Sequence, residues 1–378
     1  MQRRGAFVKD SPASPGGGKT RPNPAGGLVT ELRLPRLAFT PPMHLPRGLT
    51  LGVAFAALSH VAMSAEPSRA FQGRIERLDP AFDRLVAPEA GLEKLADGFT
   101  WSEGPVWFKG ELLFSDVPEN VIYRWQPGQT RAEVWLKPSG LLTPQPGFRE
   151  PGSNGLALDR QGRLLVCQHG ERRIARYEGG KFVALAERYE GKRFNSPNDL
   201  AVTRRGDIYF TDPSYGLEGV NNSPLKELPF NGVYRLGTDG RVTLLARDLT
   251  FPNGIAFSPD ERILYVGISD GRATRIVAFD VAPDGMVRNE RTFFDAQPLR
   301  TGGAKGSVDG LKVDREGNVW SSGPGGILVI SPAGKLLGRL LTGEATANCN
   351  WGDDGGTLYI TADMFLVRIR TLTKGDGW

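Results

Sequence analysis

The clearest copy of a recurring motif reads Phe251-Pro252-Asn253-Gly254-Ile255-Ala256-Phe257, continues with Ser258-Pro259-Asp260 and ends with Ile263-Leu264-Tyr265-Val266. It contains a polar residue, a small residue, a strand of alternating apolar residues, a tight Asp/Gly turn and a second strand. That order is typical of a β-hairpin. The arrangement occurs six times between Trp101 and Tyr359, so the chain is a repeat protein.

One position of the repeat, here named the column, carries an oxygen-bearing side chain in five of six copies. It lies eleven or twelve residues before an apolar residue of the second strand, and in chain order it is Glu103, Asn154, Asn198, Asn253, Asp309 and Ala347. Oxygen atoms of this kind are ligands for hard cations. Turn chemistry is the alternative for the Asn-Gly and Asp-Gly pairs. It fits Glu103 poorly, because Glu before Gly104-Pro105 is not a favoured turn residue.

The composition is that of an ordinary globular protein, with 378 residues, 39% hydrophobic and 24% charged. The 49 glycines and 28 prolines suit a fold with many tight turns. We expect three parts: a disordered leader with a signal peptide in residues 1–65, an N-terminal segment in residues 66–90 and a repeat domain in residues 91–378.

The leader contains a short apolar run, residues 49–58, with Arg47 before it and small residues near Ser64 and Ala65 after it. This pattern predicts a cleavable secretory signal, and the apolar run is too short to span a bilayer. Met43 is the more natural initiator. We therefore expect a periplasmic or secreted protein with no stable membrane insertion after cleavage.

The net charge of +5 does not indicate a nucleic-acid partner. Residues 1–65 hold eight basic and two acidic side chains, so the 47 basic and 42 acidic residues of the chain fall to 39 and 40 after cleavage. A nearly neutral mature protein has no basic surface on which to hold phosphates.

Two cysteines, Cys167 and Cys349, fall in different repeats. A disulfide is possible in an exported protein, but both residues lie in or beside strand patterns. Two buried free thiols are the favoured interpretation.

The repeats predict an all-β fold, a six-bladed β-propeller with four-stranded antiparallel blades. The last repeat ends at Trp378 after three strands, whereas Leu92-Glu93-Lys94-Leu95 forms a lone strand before the first repeat. Residues 92–95 are therefore expected to supply the outer strand of the last blade and close the ring, which removes exposed edges. The first strand of each blade would line the channel and bring the column to one mouth.

Three connections near this mouth are longer than the repeat requires: residues 141–152, 217–231 and 296–308. Long loops on a rigid ring commonly carry specificity. The residues that follow the second strands should also line the rim, and these are Asp116, His169, Asp212 and Asp270.

The residues available limit the chemistry. His169 is the only histidine outside the leader, so a zinc site built on several imidazoles is excluded. Two carboxylates with several amide carbonyls suit Ca²⁺, with Mg²⁺, Mn²⁺ or Zn²⁺ as substitutes. No Gly-x-Ser-x-Gly elbow occurs, which argues against a serine hydrolase.

Several motifs resemble a known family, the gluconolactonase, regucalcin and luciferin-regenerating-enzyme group, and within it the bacterial gluconolactonase branch. They are Ser102-Glu103-Gly104-Pro105-Val106-Trp107, Asn195-Ser196-Pro197-Asn198-Asp199-Leu200, Phe210-Thr211-Asp212-Pro213, Pro252-Asn253-Gly254 and Val308-Asp309-Gly310-Leu311. The resemblance runs from about Gly98 to Arg370.

The resemblance implies a six-bladed propeller that holds one divalent cation, usually calcium, in its channel and hydrolyses a sugar-acid lactone. Carried over by position, the metal-binding set is Glu103, Asn198, Asn253 and Asp309. Given that set, Asp309 is the expected general base that activates water, with nucleophilic attack by its own carboxylate as a variant. Asn154, His169 and Asp212 are assigned to substrate or water contact.

Two other functions remain open from the residues. A phosphotriester-type hydrolase would keep the metal and change the electrophile, and a non-catalytic propeller would bind a partner on its rim. The natural lactone and the oligomeric state have no readable signal in the sequence.

Overall fold

The computed structural model describes residues 70–378, and the leader, the signal peptide and Met43 lie outside them. The described chain is almost entirely β-structure. It begins with β1 (Arg74–Arg77), a 3₁₀ helix (Pro80–Arg84) and β2 (Glu93–Asp97). The other two 3₁₀ helices are Val220–Asn222 and Gln297–Leu299.

The first three blades follow the first three repeats, and each is a four-stranded antiparallel sheet. The first blade contains β3 (Ser102–Phe108), β4 (Glu111–Asp116), β5 (Val121–Trp125) and β6 (Glu133–Leu136), and the second contains β7 (Ser153–Leu158), β8 (Leu164–Gln168), β9 (Arg173–Glu178) and β10 (Lys181–Ala186). A short hairpin of β11 (Arg188–Tyr189) and β12 (Lys192–Arg193) follows. The third blade contains β13 (Leu200–Val202), β14 (Ile208–Asp212), β15 (Gly232–Leu236) and β16 (Val242–Ala246).

The last three blades complete the ring. The fourth blade contains β17 (Pro252–Phe257), β18 (Ile263–Ile268), β19 (Arg275–Val281) and β20 (Val287–Asp295). The fifth contains β21 (Leu311–Val313), β22 (Val319–Gly323), β23 (Gly326–Ile330) and β24 (Leu336–Leu341). The sixth contains β25 (Asn348–Gly352), β26 (Thr357–Ala362) and β27 (Phe365–Arg370). The predicted six-bladed propeller is confirmed.

The N-terminal strand closes the ring as the sequence predicted. Strand β2 pairs antiparallel with β27, with Glu93 opposite Arg368, and it forms the outer edge of the sixth blade. The Arg368 guanidinium donates to the Glu93 carboxylate at 2.8 Å. Strands from the N-terminal and C-terminal parts of the described chain therefore share one sheet.

Strand β1 is a feature that the sequence pattern did not predict. It pairs with β24 and gives the fifth blade a fifth strand. The 3₁₀ helix that follows buries Phe82 against the fifth and sixth blades, and Asp79 caps the helix by accepting from Ala81 N at 2.8 Å. The segment before the repeats thus covers the edge of one blade.

The hydrophobic core lies between adjacent blades. Trp320 of the fifth blade packs edge-on against Trp351 of the sixth, with ring centroids 5.5 Å apart. Trp107 of the first blade stacks on Tyr359 of the sixth across the closure, also at 5.5 Å. Aromatic pairs of this kind bury large areas, so each blade is held to the next mainly by apolar packing.

The two cysteines are buried in the second and sixth blades, and both are free thiols. This agrees with the interpretation drawn from the strand pattern. In the described residues, no helix has the length and apolar character needed to cross a membrane.

Candidate active site

The first strands of the six blades form the wall of the central channel. Each of them contacts the first strand of the next blade, and β25 contacts β3 to complete the circle. The column lies at or just before the start of these strands. Its side chains are therefore brought from different blades to one end of the channel.

Local irregularities in the ladders turn these side chains inward. The pairing of the first and second strands shifts register between Glu103 and Val106, between Ser153 and Leu156, and between Pro252 and Ile255. A β-bulge re-aims side chains and is common beside functional sites. The same distortion recurs at the column of three blades.

The glycines after the column serve the contact between blades. A Cβ on Gly254 would lie 2.3 Å from Asp309 O, and one on Gly155 would lie 2.7 Å from Asn198 O. Their backbone N–H groups donate to those same oxygens, at 3.0 Å and 2.7 Å. The Asn-Gly pairs are therefore explained by close packing between blades and not by turn formation.

The column side chains open into one cavity of about 300 Å³ at the channel mouth. Five column residues line it, and the sixth, Ala347, does not. The full lining is Trp101, Glu103, Arg149, Glu150, Asn154, Asn198, Tyr215, Asn253, Ser269, Arg300, Gly306, Ser307 and Asp309. The structure thus brings together Glu103, Asn154, Asn198, Asn253 and Asp309.

Three oxygens in this cavity are buried without a hydrogen-bond partner: Asn154 Oδ1, Asn198 Oδ1 and Asp309 Oδ1. Buried polar atoms in proteins are normally paired, so unpaired ones need an explanation. Carboxylate and amide oxygens are the ligands that Ca²⁺ accepts, six to eight at a time with water included. The donor set therefore fits a hard divalent cation.

The pKa values of the two column carboxylates, Glu103 and Asp309, are both raised. Burial, followed by the charge of Asp199, raises the pKa of Glu103 to about 8. Burial, followed by the charge of Glu103, also raises the pKa of Asp309. Although Asp309 is half-buried as a residue, its Oδ1 atom is enclosed. Two like charges in one buried place favour a cation between them.

Other interactions position the side chains of the column. Glu103 Oε2 accepts from Gly104 N at 2.9 Å and from Asn348 Nδ2 at 3.2 Å. Asn253 Nδ2 donates to Ser269 Oγ at 2.9 Å, which orients the amide. The backbone N–H of Asp309 donates to a serine hydroxyl at 2.9 Å.

A polar group below the cavity was missed from the sequence. Asn348 also donates to Asp199 Oδ2 at 3.4 Å, and the Lys312 ammonium lies 3.4 Å from the same oxygen. These residues lie one to three positions past the column. A polar residue directly after Ala347 was the available signal for Asn348.

Two of the three predicted loops, residues 141–152 and 296–308, contribute to the outer wall, whereas Tyr215 precedes the third, residues 217–231. Arg149 and Glu150 come from residues 137–152, Tyr215 from residues 213–231, and Arg300 and Ser307 from residues 296–310. None of these residues has a counterpart in other repeats, so periodicity could not identify them.

Asp212 and His169, two residues assigned to substrate contact, do not line this cavity. Asp212 is fully buried, and its carboxylate accepts from the backbone N–H groups of Asn195 and Ser196 at 2.8 and 2.9 Å. Burial raises its pKa to about 7. His169 is also fully buried, with its Nδ1 atom 3.7 Å from Glu150 Oε2. Both residues lie behind the cavity wall.

Two further carboxylates predicted at the rim also make local bonds. Asp116 accepts from the backbone N–H groups of Thr100 and Trp101 at 3.0 and 3.1 Å, in the manner of Asp212. Asp270 accepts from Arg272 N at 2.9 Å. The Asp at the end of the second strand therefore holds the chain that enters the first strand in two of the blades.

Within residues 70–378, no group of three or more His, Cys, Asp or Glu side chains gathers in a way that suits a metal ion. The column contributes two carboxylates and three amides to the cavity at the channel mouth. Oxygen chemistry, and not imidazole or thiolate chemistry, defines the candidate site.

Comparison with known proteins identifies the family of this chain. The family model described as "SMP-30/Gluconolactonase/LRE-like region" matches residues 101–363. A gluconolactonase from Zymomonas mobilis is 40% identical over 318 residues, covering 80% of this chain and 87% of its own length. A pentonolactonase from Haloferax volcanii is 28% identical, covering 68% of this chain and 80% of its own.

Solved structures of related proteins superpose on this chain. A gluconolactonase from Xanthomonas campestris superposes with a TM-score of 0.68 at 34% identity, covering 81% of this chain and 99% of its own. A luciferin-regenerating enzyme superposes with a TM-score of 0.61 at 21% identity, covering 76% and 97%, which shows a shared fold.

Proposed function

This chain belongs to the SMP-30/gluconolactonase/LRE-like family, and on that premise we propose that it hydrolyses a sugar-acid lactone with the help of a divalent cation, Ca²⁺ by preference. The observation that carries the proposal is the convergence of five oxygen-bearing side chains from five blades on one cavity, three of them with an unpaired buried oxygen.

Four side chains would hold the cation: Glu103, Asn198, Asn253 and Asp309. Such a cation, when bound, polarises the lactone carbonyl, stabilises the negative charge that develops on its oxygen and keeps both carboxylates ionised. Asn154 contributes a fifth oxygen to the cavity, and we assign it to substrate or water contact.

Asp309 is the proposed general base. Its carboxylate lies in the cavity with one oxygen unpaired, and its backbone is held by Ser322 Oγ. A positioned base of this kind accelerates water attack by about 10²–10⁴-fold. Attack by the carboxylate itself on the carbonyl carbon is the variant of this step.

The loop residues exclude bulk water and orient the substrate. Trp101 and Tyr215 provide apolar surface at the cavity mouth, while Arg149 and Arg300 provide donors for hydroxyl or carboxylate oxygens. This combination suits a small, polyhydroxylated ring. We also propose that the protein is exported, which N-terminal sequencing of the mature chain from cells would test.

Two measurements on the purified mature protein test the proposed function. The bound metal is determined by elemental analysis, and hydrolysis of aldonolactones is measured before chelation, after chelation and after Ca²⁺ is restored. We expect activity to fall on chelation and to return with Ca²⁺. Full activity without metal would overturn the role of the cation, and absence of turnover with Ca²⁺ present would overturn lactone hydrolysis itself.

A phosphotriester belongs in the same assay as a competing substrate. Turnover of the phosphotriester without turnover of any lactone would favour the other hydrolase. Normal turnover by variants at the column would favour a propeller whose chemistry lies elsewhere.

A further inference from the structure

Glu150 is a second carboxylate of the cavity wall that belongs to no repeat position. It lines the same cavity as Asp309, but it comes from the loop between the first and second blades. We propose, on the basis of the lactone hydrolysis proposed above, that Glu150 is the general acid that protonates the ring oxygen of the lactone as its C–O bond breaks.

Backbone hydrogen bonds between two loops fix the position of Glu150. The backbone N–H groups of Arg149 and Glu150 both donate to Gly216 O, at 3.0 and 3.3 Å. One residue earlier, Phe148 forms an antiparallel bridge with Leu217. Two of the long loops are therefore joined directly at this residue. A carboxyl held by paired backbone is better positioned for proton transfer than one on a free loop.

His169 forms the wall behind Glu150. A Cβ on Gly216 would lie 2.7 Å from His169 Cβ, so the glycine is required for the loop to pack against the imidazole. The His169 Nδ1 atom lies 3.7 Å from Glu150 Oε2, and neither ring nitrogen has a hydrogen-bond partner. The buried imidazole thus faces the carboxyl, and we regard His169 as a positioning residue.

Burial, against the opposing charge of Arg149, favours the protonated form of Glu150. Burial lowers the pKa of His169 to about 3, so the imidazole is neutral and does not stabilise a carboxylate. Arg149 contacts the Glu150 carboxyl, but the arginine side chain is 51% exposed and water screens it. Asp309 and Tyr215 are the other titratable groups whose charges interact with Glu150. Burial dominates and raises the pKa of Glu150.

The proton balance of the reaction requires two such groups. Water attacks the carbonyl carbon and gives one proton to Asp309. The tetrahedral intermediate then collapses, the bond between the carbonyl carbon and the ring oxygen breaks, and the ring oxygen takes the proton of Glu150. The product is an open hydroxy acid. Transfer of a proton from Asp309 to Glu150 through water restores both groups.

The test is Glu150→Gln assayed on two lactones with different leaving groups. An aldonolactone expels an aliphatic alkoxide, whereas dihydrocoumarin expels a phenolate, which like the tyrosine side chain is protonated only below pH of about 10. A general acid matters for the first and little for the second. We expect kcat on the aldonolactone to fall about 10²–10⁴-fold and kcat on dihydrocoumarin to fall by less than about tenfold.

The pH profile provides an independent measurement. With the aldonolactone, kcat of the unmodified enzyme should fall at high pH as Glu150 loses its proton, and this limb should be absent in Glu150→Gln. Asp309→Asn should reduce turnover of both lactones.

Glu171→Gln is the matched control, because Glu171 Oε1 accepts from Leu142 N at 3.0 Å and so holds the same loop without lining the cavity. It should leave both activities unchanged. Equal losses on both lactones in Glu150→Gln, equal losses in the two glutamate variants, or no loss on the aldonolactone would each overturn the assignment. If the unmodified enzyme hydrolyses neither lactone, the proposed function has failed instead.

Discussion

Replacing Glu103 by Gln is expected to stabilise the metal-free protein while weakening its response to calcium. The folded chain forces this carboxyl into a buried position beside Asp199 and within reach of the charge of Asp309. Glutamine has nearly the same shape and no charge. The substitution therefore removes an electrostatic cost when the cation is absent and a ligand charge when it is present.

The magnitude follows from the pKa of Glu103, which is raised from the ordinary value of 4.5 to about 8. The folded chain binds this proton more tightly than the unfolded chain. The stability that results is complete below pH 4.5 and is lost as the pH rises to about 8. Each pH unit in this window changes the free energy of unfolding by about 1.36 kcal/mol, so the total loss across the window is about 4 to 5 kcal/mol.

The assay is urea unfolding of the purified protein at several pH values between about 5 and 9, with a chelator and then with excess Ca²⁺. In chelator, the unmodified protein should lose stability across this range, and Glu103→Gln should lose less. Calcium at about a thousand times its Kd stabilises a folded protein by about 4 kcal/mol. That increment should be clearly smaller in the variant, because one of two charged ligands is gone.

Glu89→Gln serves as the control, because Glu89 is exposed and does not line the cavity. It should follow the unmodified protein at every pH. The reasoning is refuted if Glu103→Gln and the unmodified protein lose stability in parallel without metal, or if the calcium increment is the same in both.

Two further substitutions test the chemistry and the packing of the channel. Asp309→Asn should keep the fold and reduce kcat about 10²–10⁴-fold, as measured by initial rates and circular dichroism; retained turnover would remove Asp309 from the mechanism. Gly254→Ala would place a methyl group 2.3 Å from Asp309 O, so it should cost about 1–3 kcal/mol and lower Tm. Gly91→Ala, which meets no atom within 4 Å, should leave Tm unchanged, and an equal effect of both would contradict the close packing.

Much of the fold could be predicted because each blade is a local structure. Alternating apolar residues and turn signals specify a hairpin within about twenty residues, and six copies of the same unit predict a ring. A strand at residues 92–95 was predicted to close the ring because the last repeat lacked a fourth strand, and the structure places it at Glu93–Asp97. Strand β1 escaped prediction because its burial is created by its partner, β24, and leaves little alternation in its own four residues.

The column was visible because it recurs at a constant distance from the second strand, and the structure brings all five of its polar members into one cavity. Periodicity did not predict where the side chains after the second strands would point. Asp212 and His169 come at the ends of the second strands of their blades, yet neither lines the cavity. The Asp212 carboxylate accepts from backbone N–H groups, and His169 lies behind Glu150, which does line it.

The repeat pattern therefore determined the propeller and the column of oxygen-bearing side chains, because those features depend on intervals of fewer than about twenty residues that the chain repeats. Ring closure was predicted from the strand that the last repeat lacks. Only the tertiary structure decided that Glu150, Tyr215 and Arg300 reach the same cavity and that Asn348 holds Glu103. These residues lie on loops or just past the column, and the direction in which a loop side chain points is set by contacts with distant segments, such as Gly216 against His169.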